Sequence, residues 1–396
     1  SFLRYVSGGH SRPCVVQPLP VNNFRIEITD NKQLRLSWLP VRDSQEPTAY
    51  PTLYNIYMSQ DGMGFDNGTL VRGTQYTFEA KRGVVYKFKV TAVNRGGESF
   101  PSETLAAYLS PESHARDVLV INGFKRLSGP AVVDDATRQG FDLDDDMGVS
   151  YGLTAGWNGR QQCFDRLHAG SEGPGAMGYC GDELAGTFIM GNQQNESVCH
   201  VENIAGAGDY NVVSCSLEAF ENNYVKPAHY SAVDLMFGLQ KDDGHSLVRY
   251  KTFSPLLQSQ LKAFVKGGGR LLVSGAYVGS DMQNSAERRF LADILKTSYA
   301  GSNRSQSDNK INGLGISFDI IRQPNATHFA ATSVDRINPS SKSAFCAMQY
   351  VDGSDAAVAY DGTDYKCFTM GFPFECINSL KARQQVMRAV MTFLMK

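Results

Sequence analysis

The chain has no stretch approaching the roughly 18 consecutive apolar residues that a bilayer-spanning helix needs, nor a charged n-region followed by an apolar h-region at its start. No membrane span is expected, and no leader is legible in the sequence as it stands. Charge of one sign is also missing: 38 Lys and Arg stand against 40 Asp and Glu, a formal net charge of -2. With no global positive field and no dense basic run, nothing draws in a phosphate backbone, so nucleic acid is excluded as a partner. Neither a Cys-x-x-Cys pair nor a His-Glu-x-x-His helix occurs, which leaves no zinc site, and no cofactor is expected. Tryptophan is scarce, present only as Trp38 and Trp157.

What is there reads as a globular chain rich in turns: 42% apolar and 20% charged residues, with 38 Gly and 15 Pro scattered rather than periodic. A length of 396 residues exceeds what one core usually fills, and roughly 150 residues per domain gives two units. Residues 1–17 open on Ser1-Phe2-Leu3-Arg4-Tyr5-Val6 without an initiator Met and read as the tail of a preceding region. An upstream domain of the same polypeptide is therefore an expected partner. The eight cysteines are even in number, and Cys163/Cys180 and Cys199/Cys215 lie close enough in sequence for short-loop disulfides, which favours an oxidising compartment. Cys346 and Cys367 sit in strand-like apolar runs and read equally well as buried thiols.

Leu34-Arg35-Leu36-Ser37-Trp38 alternates with period two, placing Leu34, Leu36 and Trp38 on one face of a strand. Tyr54 to Met58 repeats the pattern, and Tyr86 to Asn94 strengthens it, burying Tyr86, Phe88, Val90 and Ala92 while Lys87, Lys89 and Thr91 face water. Turn-rich stretches such as Asp61-Gly62-Met63-Gly64 and Arg95-Gly96-Gly97 separate the runs. Residues 18–110 thus resemble a fibronectin type III domain: a core Trp on the second strand, the strand Tyr86 to Asn94, then Gly97-Glu98-Ser99 and Pro101-Ser102. The resemblance implies a spacer or attachment module and identifies no activity.

Beyond Leu109-Ser110-Pro111-Glu112-Ser113, the near-continuous apolar runs Asp117 to Gly123, Tyr210 to Cys215, Ala232 to Phe237 and Arg270 to Ser274 predict buried parallel strands. A helix over Ser259–Lys266 ends at Gly267-Gly268-Gly269, so strand, helix and strand alternate as βαβ crossovers. Ala356 to Tyr360 and Lys366 to Gly371 predict a hairpin, and Asn378 is expected to cap a closing helix over Leu380–Leu394 with Val386, Val390 and Leu394 inward. The landmarks Val120 to Phe124, Ser128-Gly129-Pro130, Phe264 to Gly269, Leu271 to Gly279 and Gly371 to Glu375 make 115–396 resemble the class I glutamine-amidotransferase-like, flavodoxin-like fold. The matching branch, in secreted bacterial proteins labelled xanthan lyase, carries long insertions. The expected fold class is multidomain: an all-β fibronectin type III sandwich plus an α/β domain with a doubly wound, mostly parallel sheet and an insertion at about 134–200.

The resemblance asks for a Cys on a sharp strand-to-helix elbow beside backbone N–H donors, with a His base oriented by a Glu. The elbow falls on Val273 to Gly279, where Ser274, or at a shifted register Ala276 or Tyr277, holds the nucleophile position and no Cys is present. Phe stands where the His belongs, and Glu375 is displaced by one residue. Ser274 and Glu375 are the catalytic candidates. Ser274 with His229, His245 or His328 is an open alternative to a turn-closing Ser and singly placed His residues. Asn122, Gly123, Tyr277 and Trp157 are candidates for ligand binding, the first three in a crevice at the carboxyl edge of the sheet with Glu375, and Trp157 by stacking on a sugar ring.

Phe141 to Gly148 carries four carboxylates in five positions, but Met147 and Leu153 stand where a calcium loop of the EF-hand kind would need Gly and Glu, so a solvated acidic loop is favoured and no metal is expected. The segment Asp134–His200, with Trp157, Phe164 and Tyr179, reads as an insertion whose aromatics form its own small core or cover the carboxyl edge. The expected function is an extracytoplasmic accessory fragment: a sandwich spacer joined to an amidotransferase-like domain that has lost the parent chemistry and binds polysaccharide or peptidoglycan. The rivals are a hydrolase or lyase acting on such polymers through Ser274 or an unrecognised site, and a purely structural spacer for an upstream domain such as a cell-wall amidase.

Overall fold

The computed structural model describes residues 15–60, 64–129, 131–137, 139–142, 145, 146, 148, 149, 191–244, 246–305, 307–323 and 328–396. Contacts divide the chain into two units, one of residues up to Ile121 together with Ser197–Tyr230, the other of Asn122–Glu196 and Ser231–Lys396.

In the first unit, period-two alternation produces eight short strands: β1 (Asn22–Ile28), β2 (Leu34–Leu39), β3 (Leu53–Gln60), β4 (Thr69–Val71), β5 (Gln75–Phe78), β6 (Val85–Asn94), β7 (Gly97–Glu98) and β8 (Leu105–Tyr108). One antiparallel sheet runs β1-β2-β5 and the other β4-β3-β6-β8, with β7 folded back on β6. That order is fibronectin type III-like. The alternating residues Leu34, Leu36, Trp38, Tyr54, Ile56, Tyr86, Phe88, Val90 and Ala92 are all buried, and Trp38 meets Tyr54 edge to face at 5.5 Å. Thr91 departs from expectation. It is 4% exposed rather than water-facing, because its hydroxyl donates to the Glu98 carboxylate, which also accepts from Tyr57 Oη at 2.6 Å.

The strand β9 (Arg116–Asn122) follows; the hairpin β10 (Ala131–Asp134) and β11 (Gln139–Asp142) belongs to the second unit. Helix α1 (Ser197–Ala205), strand β12 (Tyr210–Ser216) and helix α2 (Leu217–Glu221) return to the first. β12 pairs with β9 and β8 and meets β1 at Arg25 and Cys215. Side chains stitch the same elements together. Asn211 Oδ1 accepts from Ser110 N–H at 2.9 Å, Ser214 Oγ donates to the Ala106 carbonyl at 2.7 Å, and Ser197 Oγ donates to the Thr104 carbonyl at 2.8 Å. Two of the runs expected in the C-terminal domain are thus grouped with the sandwich, and the stretch at Ser110 is tied down. Cys199 and Cys215 are thiols rather than a disulfide; Cys163 and Cys180 lie outside the described residues.

The second unit contains β13 (Ala232–Met236), α3 (Pro255–Lys266), β14 (Arg270–Ser274), α4 (Ser285–Phe290), β15 (Thr297–Asn303), β16 (Lys310–Gly313), β17 (Ile316–Asp319), β18 (Val334–Pro339), β19 (Ala344–Tyr350), β20 (Asp355–Asp361), β21 (Lys366–Met370) and α5 (Leu380–Met395). β13, β14 and β21 are parallel neighbours, and the sheet continues antiparallel through β20, β19, β16 and β17. β15 pairs with β18 apart from it. Parallel pairing demands a crossover, and α3 supplies it between β13 and β14. Ser254 Oγ caps α3 by accepting from Leu257 N–H at 3.1 Å, Pro255 opens its first turn, and Gly267 closes it. The closing helix α5 packs on β14 and β21 with Val386, Val390 and Leu394 buried. Its cap is Ser379 rather than Asn378, since the Asn378 N–H is committed to the Asp319 carbonyl at 2.9 Å. Among the described residues no helix is long and apolar enough to cross a membrane.

Candidate functional site

Ligands of open sheets with parallel strands gather at the carboxyl ends of those strands, so the residues leaving β13 and β14 define where a site would form. Asn122 is fully buried, and its Oδ1 accepts from Phe124 N–H at 3.2 Å, turning the chain on its own backbone. Gly123 donates its N–H to the Met236 carbonyl at 2.8 Å, and a Cβ there would lie 2.7 Å from the Phe237 ring. Gly238 reciprocates: at φ +51° it leaves room for the Phe124 ring, which a Cβ would meet at 2.3 Å. These glycines lock two strand ends together and expose no ligand-binding edge of their own.

The chain leaves β14 through a turn over Ala276–Asp281 and reaches its next helix only at Ser285, after the cap at Asn284. The strand therefore does not run directly into a helix, and the sharp elbow expected at Val273 to Gly279 is a turn. Ser274 is fully buried and its Oγ makes no hydrogen bond among the described residues, so no imidazole stands ready to take its proton. His229 lies in a short 3₁₀ turn of the first unit; His245 and Trp157 lie outside the described residues. Tyr277 is 5% exposed, and its polar tip is already used, donating to the Asp145 carbonyl at 3.0 Å while Lys241 Nζ lies 4.8 Å from the ring centre. Burial holds the Tyr277 hydroxyl well above its ordinary range.

The backbone donors of the turn are also in use. Gly279 and Ser280 direct their N–H groups onto Asp335 Oδ2, at 2.7 and 2.8 Å. Asp335, on β18, is fully buried, and burial pushes its carboxyl up to about 7 against the two N–H bonds that favour its charge. Asp281 closes the other side of the turn by accepting from Thr252 N–H at 2.8 Å and Oγ1 at 3.0 Å.

Of the acidic loop, Asp146 is 2% exposed and pairs with the fully buried Arg126 and with Lys241 Nζ at 3.3 Å, while Asp145 pairs with Arg304 at 2.7 Å. Burial pushes Asp146 up, but the two cations outweigh it and hold the carboxyl below its usual range. Both Asp145 and Asp146 are thus matched by protein cations.

A second group assembles where no motif pointed. Glu375, 2% exposed in the 3₁₀ turn Phe374–Cys376, lies within electrostatic reach of Glu196 and His328. Glu196 is 8% exposed; burial, reinforced by the Glu375 charge, pushes it to about 8 despite backbone N–H donors at residues 193, 195 and 196. His328 Nδ1 lies 2.7 Å from the Phe329 carbonyl, an oxygen that only accepts, so Nδ1 carries the proton and Nε2 is the basic nitrogen. Burial lowers the His328 pKa, so the ring favours its neutral form. Glu375 thus has, within electrostatic reach, a carboxyl that keeps its proton at neutral pH and an imidazole that favours its neutral form. The sequence singled out Glu375 and His328 but not their association, and Glu196 lay unremarked within the segment read as an insertion.

No protein-family model matches the chain. Among solved structures it is similar to the third fibronectin III domain of the human KIAA0343 protein, at 17% identity over 26% of this chain and 91% of that one, TM-score 0.22. It is similar also to a fourth fibronectin III domain from human, at 18% identity over 26% and 87%, TM-score 0.23. An exo-β-1,4-mannosidase from Opitutaceae bacterium strain TAV5 matches at 12% identity over 50% of this chain and 30% of that one, TM-score 0.31. The fibronectin type III-like fold of residues 22–108 rests on the strand order itself.

Proposed function

We propose that the chain is an extracytoplasmic accessory module, a fibronectin type III-like spacer carrying an amidotransferase-like, doubly wound α/β domain that binds polysaccharide or peptidoglycan without catalysing acyl transfer. The observation that carries this reading is the state of the turn after β14. Acyl transfer needs a nucleophile touching a base and donors aimed at a developing oxyanion. Among the described residues Ser274 Oγ makes no hydrogen bond to a base, and the Gly279 and Ser280 N–H groups are spent on Asp335.

The second reading is a hydrolase or lyase on the same polymers, using Glu196, Glu375 and His328. The paired carboxylates favour it, because a carboxyl raised to about 8 is protonated at neutral pH and suited to act as a general acid. One experiment separates the two. The chain is incubated with insoluble peptidoglycan and with charged and neutral polysaccharides, and retention and soluble product are measured together. Binding without product supports the first reading; product that disappears in Glu375→Gln supports the second; neither retention nor product overturns both and leaves a spacer.

A further inference from the structure

Two consecutive backbone N–H groups converging on one oxygen, at the carboxyl end of a parallel strand, make an anion-binding nest. The turn Tyr277–Asp281 presents such a pair from Gly279 and Ser280, at 2.7 and 2.8 Å from Asp335 Oδ2. The occupant is unusual. Asp335 is fully buried, no cation pairs with it among the described residues, and its Oδ1 makes no hydrogen bond there. The Ser280 side chain lies beside the carboxyl and adds to the groups that favour its charged form. A buried carboxylate with one oxygen unsatisfied costs stability unless something holds it. The backbone around Asp335 holds it firmly. Its N–H donates to the Gly371 carbonyl at 2.8 Å and its carbonyl accepts from Tyr350 Oη at 3.0 Å. A Cβ on Gly371 would meet that carbonyl at 2.2 Å, so the two segments are in closest approach.

We propose that the Gly279–Ser280 turn is a built anion site for a small carboxylate, kept closed by the protein's own Asp335 as an internal ligand. An external carboxylate enters only by displacing Asp335, so the contact is autoinhibitory. The titratable groups that act on Asp335 include Asp281 and the neutral Tyr277 from the turn and the neutral Tyr350 from β19. No cation pairs with Asp335 among the described residues, so the Gly279 and Ser280 N–H donors, with the Ser280 side chain, are what favours an anion there.

The test uses the full chain with Asp335→Ala, which opens the site, and Asp335→Asn, which keeps an acceptor oxygen in it. Melting temperature is followed against sodium formate and sodium acetate, with sodium chloride at equal ionic strength as control. Asp335→Ala is expected to melt several degrees lower and to recover saturably with formate and acetate but not chloride, whereas the native chain and Asp335→Asn respond alike to all three salts. A response of Asp335→Ala to formate no greater than to chloride overturns the proposal. Should Asp335→Ala not fold, amide exchange in the folded Asp335→Asn chain decides. Gly279 and Ser280 are expected to exchange roughly tenfold faster than in the native chain, as loss of a charge-assisted bond requires; unchanged exchange overturns the proposal. None of these outcomes depends on polysaccharide binding, so failure here and failure of the proposed function are distinguishable.

Discussion

The sandwich and the second unit bury charge in opposite ways. In the sandwich Glu98 is exposed, and hydrogen bonds from Thr91 and Tyr57 overcome its partial desolvation and hold it below the usual carboxylate range. In the second unit Glu196 and Asp335 are taken out of water and pushed to about 8 and about 7. In the first arrangement a carboxylate at the surface is satisfied by two neighbouring hydroxyls. The second arrangement costs stability, and such costs concentrate where a protein positions groups for binding or chemistry.

Breaking each unit at its most dependent residue gives the largest effects. Arg126→Ala leaves Asp146 buried against Lys241 alone and is expected to cost about 3–5 kcal/mol, read by denaturant unfolding of the second unit. Trp38→Ala empties the centre of the sandwich and is expected to cost about 3–5 kcal/mol, read the same way.

Opposite responses to pH come next. For Glu196 and Asp335 the folded state binds more protons than the unfolded one between the ordinary carboxylate value, about 4, and their raised values, so second-unit stability falls as pH rises from about 4 to about 8. Glu98 is depressed, so its contribution is present above about pH 4 and is lost on acidification. Amide exchange resolved by unit, compared at about pH 5 and about pH 8, should show the second unit loosening at the higher value while the sandwich does not. Glu196→Gln should flatten the second unit's slope.

Smaller still, Gly123→Ala drives a methyl into the Phe237 ring and is expected to cost about 1–3 kcal/mol of thermal stability. Smallest is Ser274→Ala. It removes a buried hydroxyl that makes no hydrogen bond among the described residues, and is expected to be neutral or slightly stabilising with polymer retention unchanged.

The sandwich was legible because its burial is local: in β2, β3 and β6 the residue at i and its neighbour at i+2 share a face, and the pattern alone marks Leu34, Leu36 and Trp38 as core. Thr91 escaped because its burial depends on Glu98, seven positions away across a turn. The strands β12, β13 and β14 and the helix α3 were visible as apolar runs and a capped amphipathic segment. Their grouping was not, since an apolar run says that a strand is buried and not what covers it. For the same reason β12 could not be foreseen against β8. In the candidate site, Ser274 and Glu375 were found from the resemblance, but Asp335 sits in Val334-Asp335-Arg336-Ile337, where alternation offers no sign that an acidic side chain points inward. Glu196 and His328 come within electrostatic reach of Glu375 only through tertiary structure.

The proposed loss of acyl-transfer chemistry alongside retained polymer binding is tested most directly by incubating the full chain with insoluble peptidoglycan and a polysaccharide panel, then assaying pellet and supernatant together. Retention on at least one polymer with no soluble fragments, in both the native chain and Ser274→Ala, is the expected result. Soluble fragments released by the native chain and abolished in Ser274→Ala would contradict it.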